Sequence, residues 1–211
     1  MLLILVWVQS PVWARPDYKV ALKGGPNAST LSRENRVFIY GFSGGIAGQA
    51  QWFVTDRLWL SAQTELLYTP RGAAVRIDGN NLGQNREYYL DTAIVFRPEV
   101  RLGLFSAYLL VGGGFDILLS ANQEDASGME RDITDLLRRT DLALLVGAGG
   151  GYHFSRQSRG LLCLDTVFLE VRHDRGMLDT DNLSDSAQNR TIALMLGLSF
   201  RLGPRDPMSK L

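Results

Sequence analysis

Three short stretches carry residue types that could do chemistry. "GFSGG", residues 41–45, fits a G-x-S-x-G pattern, in which a sharp strand-to-helix turn exposes a nucleophilic serine. Gly44, Gly45 and Gly48 make a poor start for a helix, so the segment reads as glycine within a strand. His153-Phe154-Ser155 spaces a histidine to activate a serine for attack on an ester. "DTDNLSD", residues 179–185, clusters the carboxylates that hard cations favour, but it has neither the glycine nor the later glutamate of a calcium loop. It reads as a solvated loop, with divalent-ion bridging to lipopolysaccharide as its functional alternative. The glycine runs 112–114 and 147–151 lack G-x-G-x-x-G spacing and a following helix, so a phosphate cradle is not expected. No cofactor and no metal site is expected.

What positions these residues is a period of two that returns along the chain. In "TIALMLGLSFRLG", residues 191–203, Ile192, Leu194, Leu196, Leu198, Phe200 and Leu202 share one side of a strand, opposite Thr191, Ala193, Met195, Gly197, Ser199 and Arg201. The same alternation runs through 18–24, 40–54, 58–68, 87–97, 105–120, 141–154 and, less regularly, 164–174. Asp165 falls off the pattern, which a bulge or an early strand start explains. Eight strands result, each near the ~9 to 11 residues of a tilted strand that crosses a bilayer.

The connections alternate in length. Residues 24–36, 78–86, 121–140 and 174–189 are long and polar, whereas 55–57, 98–104 and 155–159 are shorter. An even strand count with short turns at one end and long loops at the other is the asymmetry of a bacterial outer-membrane barrel. Trp52 and Trp59 bracket the first short turn, with Phe154 and Phe200 at the same end, where an interfacial aromatic girdle is expected. In the loop "SGMERDITDLLRRT", Ser127 and Glu130 have capping-box spacing, and Ile133, Leu136 and Leu137 share one helical face. A short helix over the outer mouth is predicted, as a contact point for a partner.

The face opposite the large apolar residues is small rather than strongly charged, with Leu110, Leu118 and Leu145 among its glycines and alanines. A soluble sheet shows water a more charged face. An eight-stranded barrel has an interior just wide enough for side chains to fill. Lys19, Lys23, Arg97 and Arg172 lie on this face against Glu65, Asp91, Asp116 and Glu170, so each buried charge has a partner of opposite sign available. The lumen is expected to be closed and ion-paired.

Composition removes other classes. The balance of 22 basic against 22 acidic residues, without a basic stripe, leaves no electrostatic footprint for nucleic acid. Beyond "LLILVWV", no run approaches the roughly 18 apolar residues of a spanning helix. That segment, followed by Val12-Trp13-Ala14, reads as a signal peptide over 1–14 cleaved after Ala14, with a single domain over 15–211. The single cysteine, Cys163, reads as a packed residue.

The chain resembles the PorT-like outer-membrane β-barrel family of Gram-negative bacteria. The resemblance lies in "ALKGGPNASTLS", "GFSGGIAGQ", "RLWLSAQTELLYTPRGA", "FLEVRHDRGM" and "NRTIALMLGLSFRLG", and it covers nearly the whole mature chain. It implies an outer-membrane barrel, with assistance to protein secretion as a role held by some relatives. The weak signal peptide and the tail "PRDPMSKL" depart from the pattern. His153 and Ser155 resemble the His-x-Ser arrangement of outer-membrane lipid A deacylases, but they fall at a short periplasmic turn rather than in the outer leaflet.

The expected protein is therefore all-β: an eight-stranded antiparallel up-and-down transmembrane barrel in the bacterial outer membrane. It is expected to be non-enzymatic and to act structurally or through its external loops. Its partners are outer-membrane lipid and lipopolysaccharide and a protein at the external loops. Two alternatives stand beside it: an outer-membrane lipid hydrolase, and a secreted soluble β-barrel or sandwich that binds a small apolar ligand.

Overall fold

The computed structural model describes residues 16–32, 36–77, 80–154, 162–178 and 188–202. The signal-peptide segment, Ser155, "DTDNLSD" and the C-terminal tail lie outside them. Eight long antiparallel strands follow the alternation: β1 Asp17–Leu31, β2 Ile39–Phe53, β3 Leu58–Ile77, β4 Asn80–Leu102, β5 Phe105–Asp125, β6 Thr140–His153, β7 Leu162–Gly176 and β8 Asn189–Leu202. Each pairs with its neighbour in sequence, and β1 pairs with β8 from Tyr18↔Leu202 to Leu31↔Asn189. The sheet thus closes on itself and leaves the main barrel no free edge.

One end of the barrel, the turn end, carries the connections after β2, β4 and β6; short connections are not confined to it, since only residues 78–79 lie between β3 and β4 at the other end, where the sequence pattern predicts a long loop over 78–86. Val54 and Thr55 both donate backbone N–H groups to Leu58 O across the β2–β3 turn. Gly103 and Leu104 join β4 to β5, and Gly103 adopts φ +67°, a conformation that suits a residue without Cβ. The other end, the loop end, carries the connections after β1, β3, β5 and β7.

The strands are longer than the bilayer-crossing length read from the sequence. β1, β2, β6, β7 and β8 have 14 or 15 residues, whereas β3, β4 and β5 have 20, 23 and 21. Residues 24–31, 80–86, 98–102 and 121–125, read as connections, belong to strands. The extra residues of β3–β5 carry that sheet roughly 20 Å past its neighbours at the loop end, at about 3.3 Å per residue. Two short strands flank the extension, Arg36–Val37 on β3 and Glu130–Asp132 on β5.

The helix expected over the outer mouth does not form. The segment instead makes the Glu130–Asp132 strand and a 3₁₀ turn at Thr134–Leu136. The Asp125 carboxylate accepts hydrogen bonds from Ser127 Oγ and from the Ser127 and Met129 amides, so Ser127 is not free to cap a helix. Ile133 is buried with Tyr89, Leu118 and Ala121, and Leu137 packs against them, so the segment folds back onto the β4–β5 wall without a helix.

Large apolar side chains cover the exterior on every strand, among them Leu22, Phe42, Ile46, Leu66, Ile94, Leu109, Leu144, Leu169 and Leu196. The interior holds ions, amides, hydroxyls and a few apolar groups, including Leu110, Leu118 and Leu145. Where aromatics turn inward, facing glycines make room. The Tyr108 ring lies over Gly149 and the Phe168 ring over Gly197, at positions where a Cβ would collide with the rings. "GFSGG" lies inside β2, with Ser43 buried and its hydroxyl accepting from Asn27 Nδ2 at 2.9 Å.

Candidate functional site

Three groups of charged side chains follow one another along the lumen. At its middle, Lys23 on β1 donates to Glu65 on β3 and to Glu170 on β7, each at 2.6 Å. Arg172 donates to the other oxygen of Glu65 at 2.6 Å and to Asp174 at 2.9 Å. Gln63 Nε2 also donates to Glu65, at 2.5 Å. Three strands are thereby tied across the barrel by fully desolvated ions, and breaking one such contact strands the others.

Toward the turn end, Lys19 pairs with Asp165 at 2.7 Å, and Arg201 donates to the same carboxylate. Asp165 reaches the lumen because of a bulge: Ser199 pairs with Thr166 but Phe200 with Leu164, leaving Asp165 as the extra residue. Glu99 accepts from Arg101 at 2.8 Å and Arg97 at 3.1 Å. The Arg97 guanidinium lies 3.5 Å from the Tyr108 ring centroid, so one cation links this group to the aromatic layer below Lys23.

Toward the loop end, Arg71 bridges Asp91 at 2.8 Å and Asp116 at 2.6 Å. Asp91, Asp116 and Asp141 are direct register partners on β4, β5 and β6, an arrangement of like charges that would repel without a cation between them. Tyr89 donates to Glu87 at 2.9 Å just above Arg71.

All eight ions expected in the lumen, Lys19, Lys23, Glu65, Asp91, Arg97, Asp116, Glu170 and Arg172, are buried. Lys23, Glu65, Glu170 and Arg172 meet one another, whereas Lys19, Arg97, Asp91 and Asp116 take partners the sequence reading missed: Asp165, Glu99 and Arg71. Parity alone would have found Arg71 and Glu99, since both continue the inward-facing rows of β3 and β4.

Of the expected interfacial aromatics, Phe154 is exposed and stacks edge-on to Tyr152, which meets Phe105 likewise. Trp52 and Phe200 are half-buried on the outward-facing rows of β2 and β8. Trp59 differs: it pairs in register with inward-facing Glu99, and Arg101 sits 4.0 Å over its ring, so it belongs to the rim of the lumen. A second belt, unforeseen, marks the loop end, where the Tyr68 and Tyr88 rings stack at 6.0 Å and Tyr40 is exposed.

His153 lies in the lumen near the turn end. Its Nε2 is 2.9 Å from Ser106 Oγ and 3.2 Å from Glu99 Oε1, and its Nδ1 is 2.9 Å from Thr166 Oγ1. His173 is on an outward-facing position of β7. Among the described residues no group of three or more His, Cys, Asp or Glu side chains is placed to hold a metal ion. Outside the barrel wall, the Asp125 carboxylate is held below its usual value by the Ser127 hydroxyl and then the Met129 and Ser127 amides, and Asp132 is lowered by the Thr134 amide and hydroxyl.

No family model matches the chain, and no curated protein matches it. Solved structures do. The chain is similar to Ail, the attachment invasion locus protein of Yersinia pestis, at 13% identity over 86% of this chain and 98% of that one, with a TM-score of 0.41. It is similar to the outer membrane protein OprG from Pseudomonas aeruginosa at 7% identity, over 91% and 99% of the two chains, with a TM-score of 0.44. It is similar to the outer membrane protease OmpT from Escherichia coli at 10% identity, over 92% and 99%, with a TM-score of 0.48.

Proposed function

We propose that this protein is an outer-membrane barrel of a Gram-negative bacterium that catalyses no reaction and works as a structural or partner-binding element through its loop end. One observation carries the reading: large apolar side chains cover the exterior of all eight strands while the ions are inside. That inversion suits hydrocarbon outside. A soluble barrel for an apolar ligand would need the reverse, an apolar interior. The interlocked ions and the Tyr89, Leu118, Ala121 and Ile133 cluster oppose an open pore, which leaves the loop end as the working surface. The resemblance to PorT-like proteins supports assistance to secretion as the form that work takes.

The test is fractionation with electrophoresis of boiled and unboiled protein in SDS. A heat-dependent shift in outer-membrane protein is the expected result; detergent-free periplasmic protein without a shift overturns the reading.

A hydrolytic reading has one observation in its favour, the 2.9 Å contact between His153 Nε2 and Ser106 Oγ. Glu99 approaches that same nitrogen and competes with the serine for it, and Ser106 is buried within the barrel wall. Lipid-ester hydrolysis lost in both Ser106→Ala and His153→Ala would establish this second reading.

A further inference from the structure

On the outer surface of β4 and β5 the polarity changes at one level. Along β4 the outward positions run from Phe96 and Ile94 through Leu90 to Tyr88, and then to Arg86 and Gln84. On β5 a register shift opposite Tyr88 and Tyr89 turns Asn122 and Glu124 to the same side, paired with Arg86 and Gln84. Apolar wall therefore ends at the stacked Tyr68 and Tyr88 rings, and hydrogen-bonding groups begin directly above them.

There the surface is concave. Gln84, Arg86, Tyr88, Asn122, Glu124 and Glu130 line a pocket of about 270 Å³. Gln84 Nε2 donates to Glu124 Oε2 at 2.5 Å, which fixes one wall. Arg86 is exposed and, among the described residues, makes no ion pair in spite of two carboxylates in the same pocket. The lining offers donors from Arg86, Asn122 and Gln84, acceptors from Glu124 and Glu130, and an aromatic ring from Tyr88.

We propose that this pocket binds a neutral saccharide ring. Hydroxyl groups both donate and accept, matching a lining of mixed donors and acceptors, and a tyrosine ring packs against the C–H face of a sugar. Two carboxylates against one guanidinium oppose a phosphate or sulfate as the main anchor. The proposal rests on the outer-membrane reading, which puts the level above the Tyr68–Tyr88 belt among the sugars of the outer leaflet. Those sugars reach the pocket either on a membrane glycolipid or as a free glycan.

The experiment uses the barrel in phosphatidylcholine nanodiscs, with the amides of 84–88 and 122–124 followed by NMR. Three probes are added in turn: lipopolysaccharide with its core sugars, lipid A without them, and released core oligosaccharide. Intact lipopolysaccharide is expected to shift these amides and lipid A to leave them in place. A matching shift with the oligosaccharide assigns the site to glycans from either source; its absence assigns it to membrane-borne sugar. Arg86→Ala and Tyr88→Ala are each expected to weaken binding about tenfold, the loss of one good polar or stacking contact. No shift with any probe, or undiminished shifts in both variants, overturns the site. Failure of the underlying reading is scored separately, by labelling Ala126→Cys in a Cys163→Ser background on intact cells with an impermeant maleimide. Labelled cells with no sugar response reject the pocket alone; unlabelled cells reject the outward orientation of the loop end.

Discussion

Lys19 Nζ lies 2.7 Å from Asp165 Oδ2, a contact between β1 and β7 that exists because the bulge turns Asp165 into the lumen. Lys19 is 4% exposed, so it cannot trade this partner for water. Asp165→Ala is expected to destabilise the barrel by about 3–5 kcal/mol, the usual loss when one member of a buried pair is removed. Replacing both members, Lys19→Met with Asp165→Leu, should recover part of it, the remainder being the Arg201 guanidinium left without the carboxylate it shares with Lys19. Urea unfolding of lipid-refolded protein, followed by tryptophan fluorescence, measures both; a double variant as weak as the single one would count against the pairing.

Arg71 makes a sharper case, because it contacts Asp91 and Asp116 and lies among register-matched carboxylates. Arg71→Met leaves two buried carboxylates without their cation and should lower the unfolding midpoint more than any single carboxylate-to-amide change in the group. Adding Asp91→Asn and Asp116→Asn removes the uncompensated charge and should restore much of the stability. If the triple variant is no better than Arg71→Met, the bridge is not what holds this end.

At the loop end, the depressed Asp125 value has a definite sign. A carboxylate whose folded pKa lies below its unfolded value, about 3.9, stabilises the ordered turn above that value and loses the effect as pH falls through the folded one. The Ser127 and Met129 amides, which donate to Asp125, are therefore expected to lose protection relative to their intrinsic exchange rates below about pH 4, and Asp125→Asn should bring that loss of protection to neutral pH. Amide exchange in the 125–129 turn checks both.

How much of this was legible depended on distance along the chain. Alternation is local, so the inward and outward faces and the strand count could be read from neighbouring residues, as could the irregularity at Asp165, though not its choice between a bulge and an early strand start. Strand length could not, since nothing local marks how far a strand runs into a turn-rich stretch: Pro26, Pro70 and Pro98, residues disfavoured in a ladder, all lie within strands. The ladder to β5 skips Arg97 and Pro98 and resumes at Glu99, whose carboxylate anchors Arg97 and Arg101. Pairings across the lumen depend on stagger between strands far apart in sequence, which is why Asp165, the partner of Lys19, is missing from the four acids that alternation sets against the lumen cations. The outer pocket was invisible for a further reason: it needs the register shift opposite Tyr88 and Tyr89 to bring Asn122 beside Arg86.

The close approach of Phe168 to Gly197 offers a test of packing independent of charge. A Cβ at Gly197 would fall on the Phe168 ring, which the strand partner β7 holds in place. Gly197→Ala is expected to cost about 1–3 kcal/mol through overpacking, and Phe168→Leu in the same chain should relieve part of that cost. Additive losses in the double variant would mean that the ring does not occupy the glycine's space.

The medium outside the wall can be read from one outward residue. Leu196 on β8 is 58% exposed, and its register partners are Leu169 and Gly24. On a surface facing water, Leu196→Arg would change stability by no more than about 0.5 kcal/mol, as most exposed substitutions do. Facing hydrocarbon near the middle of a bilayer, the same change should cost about 2–4 kcal/mol, and the cost should shrink for Leu202→Arg at the turn end, where a long side chain reaches the interface. Reversible folding into phosphatidylcholine vesicles measures the two variants side by side. A depth-dependent penalty is the expected outcome; equal and negligible costs at both positions would place the wall in water and remove the membrane from this protein's function.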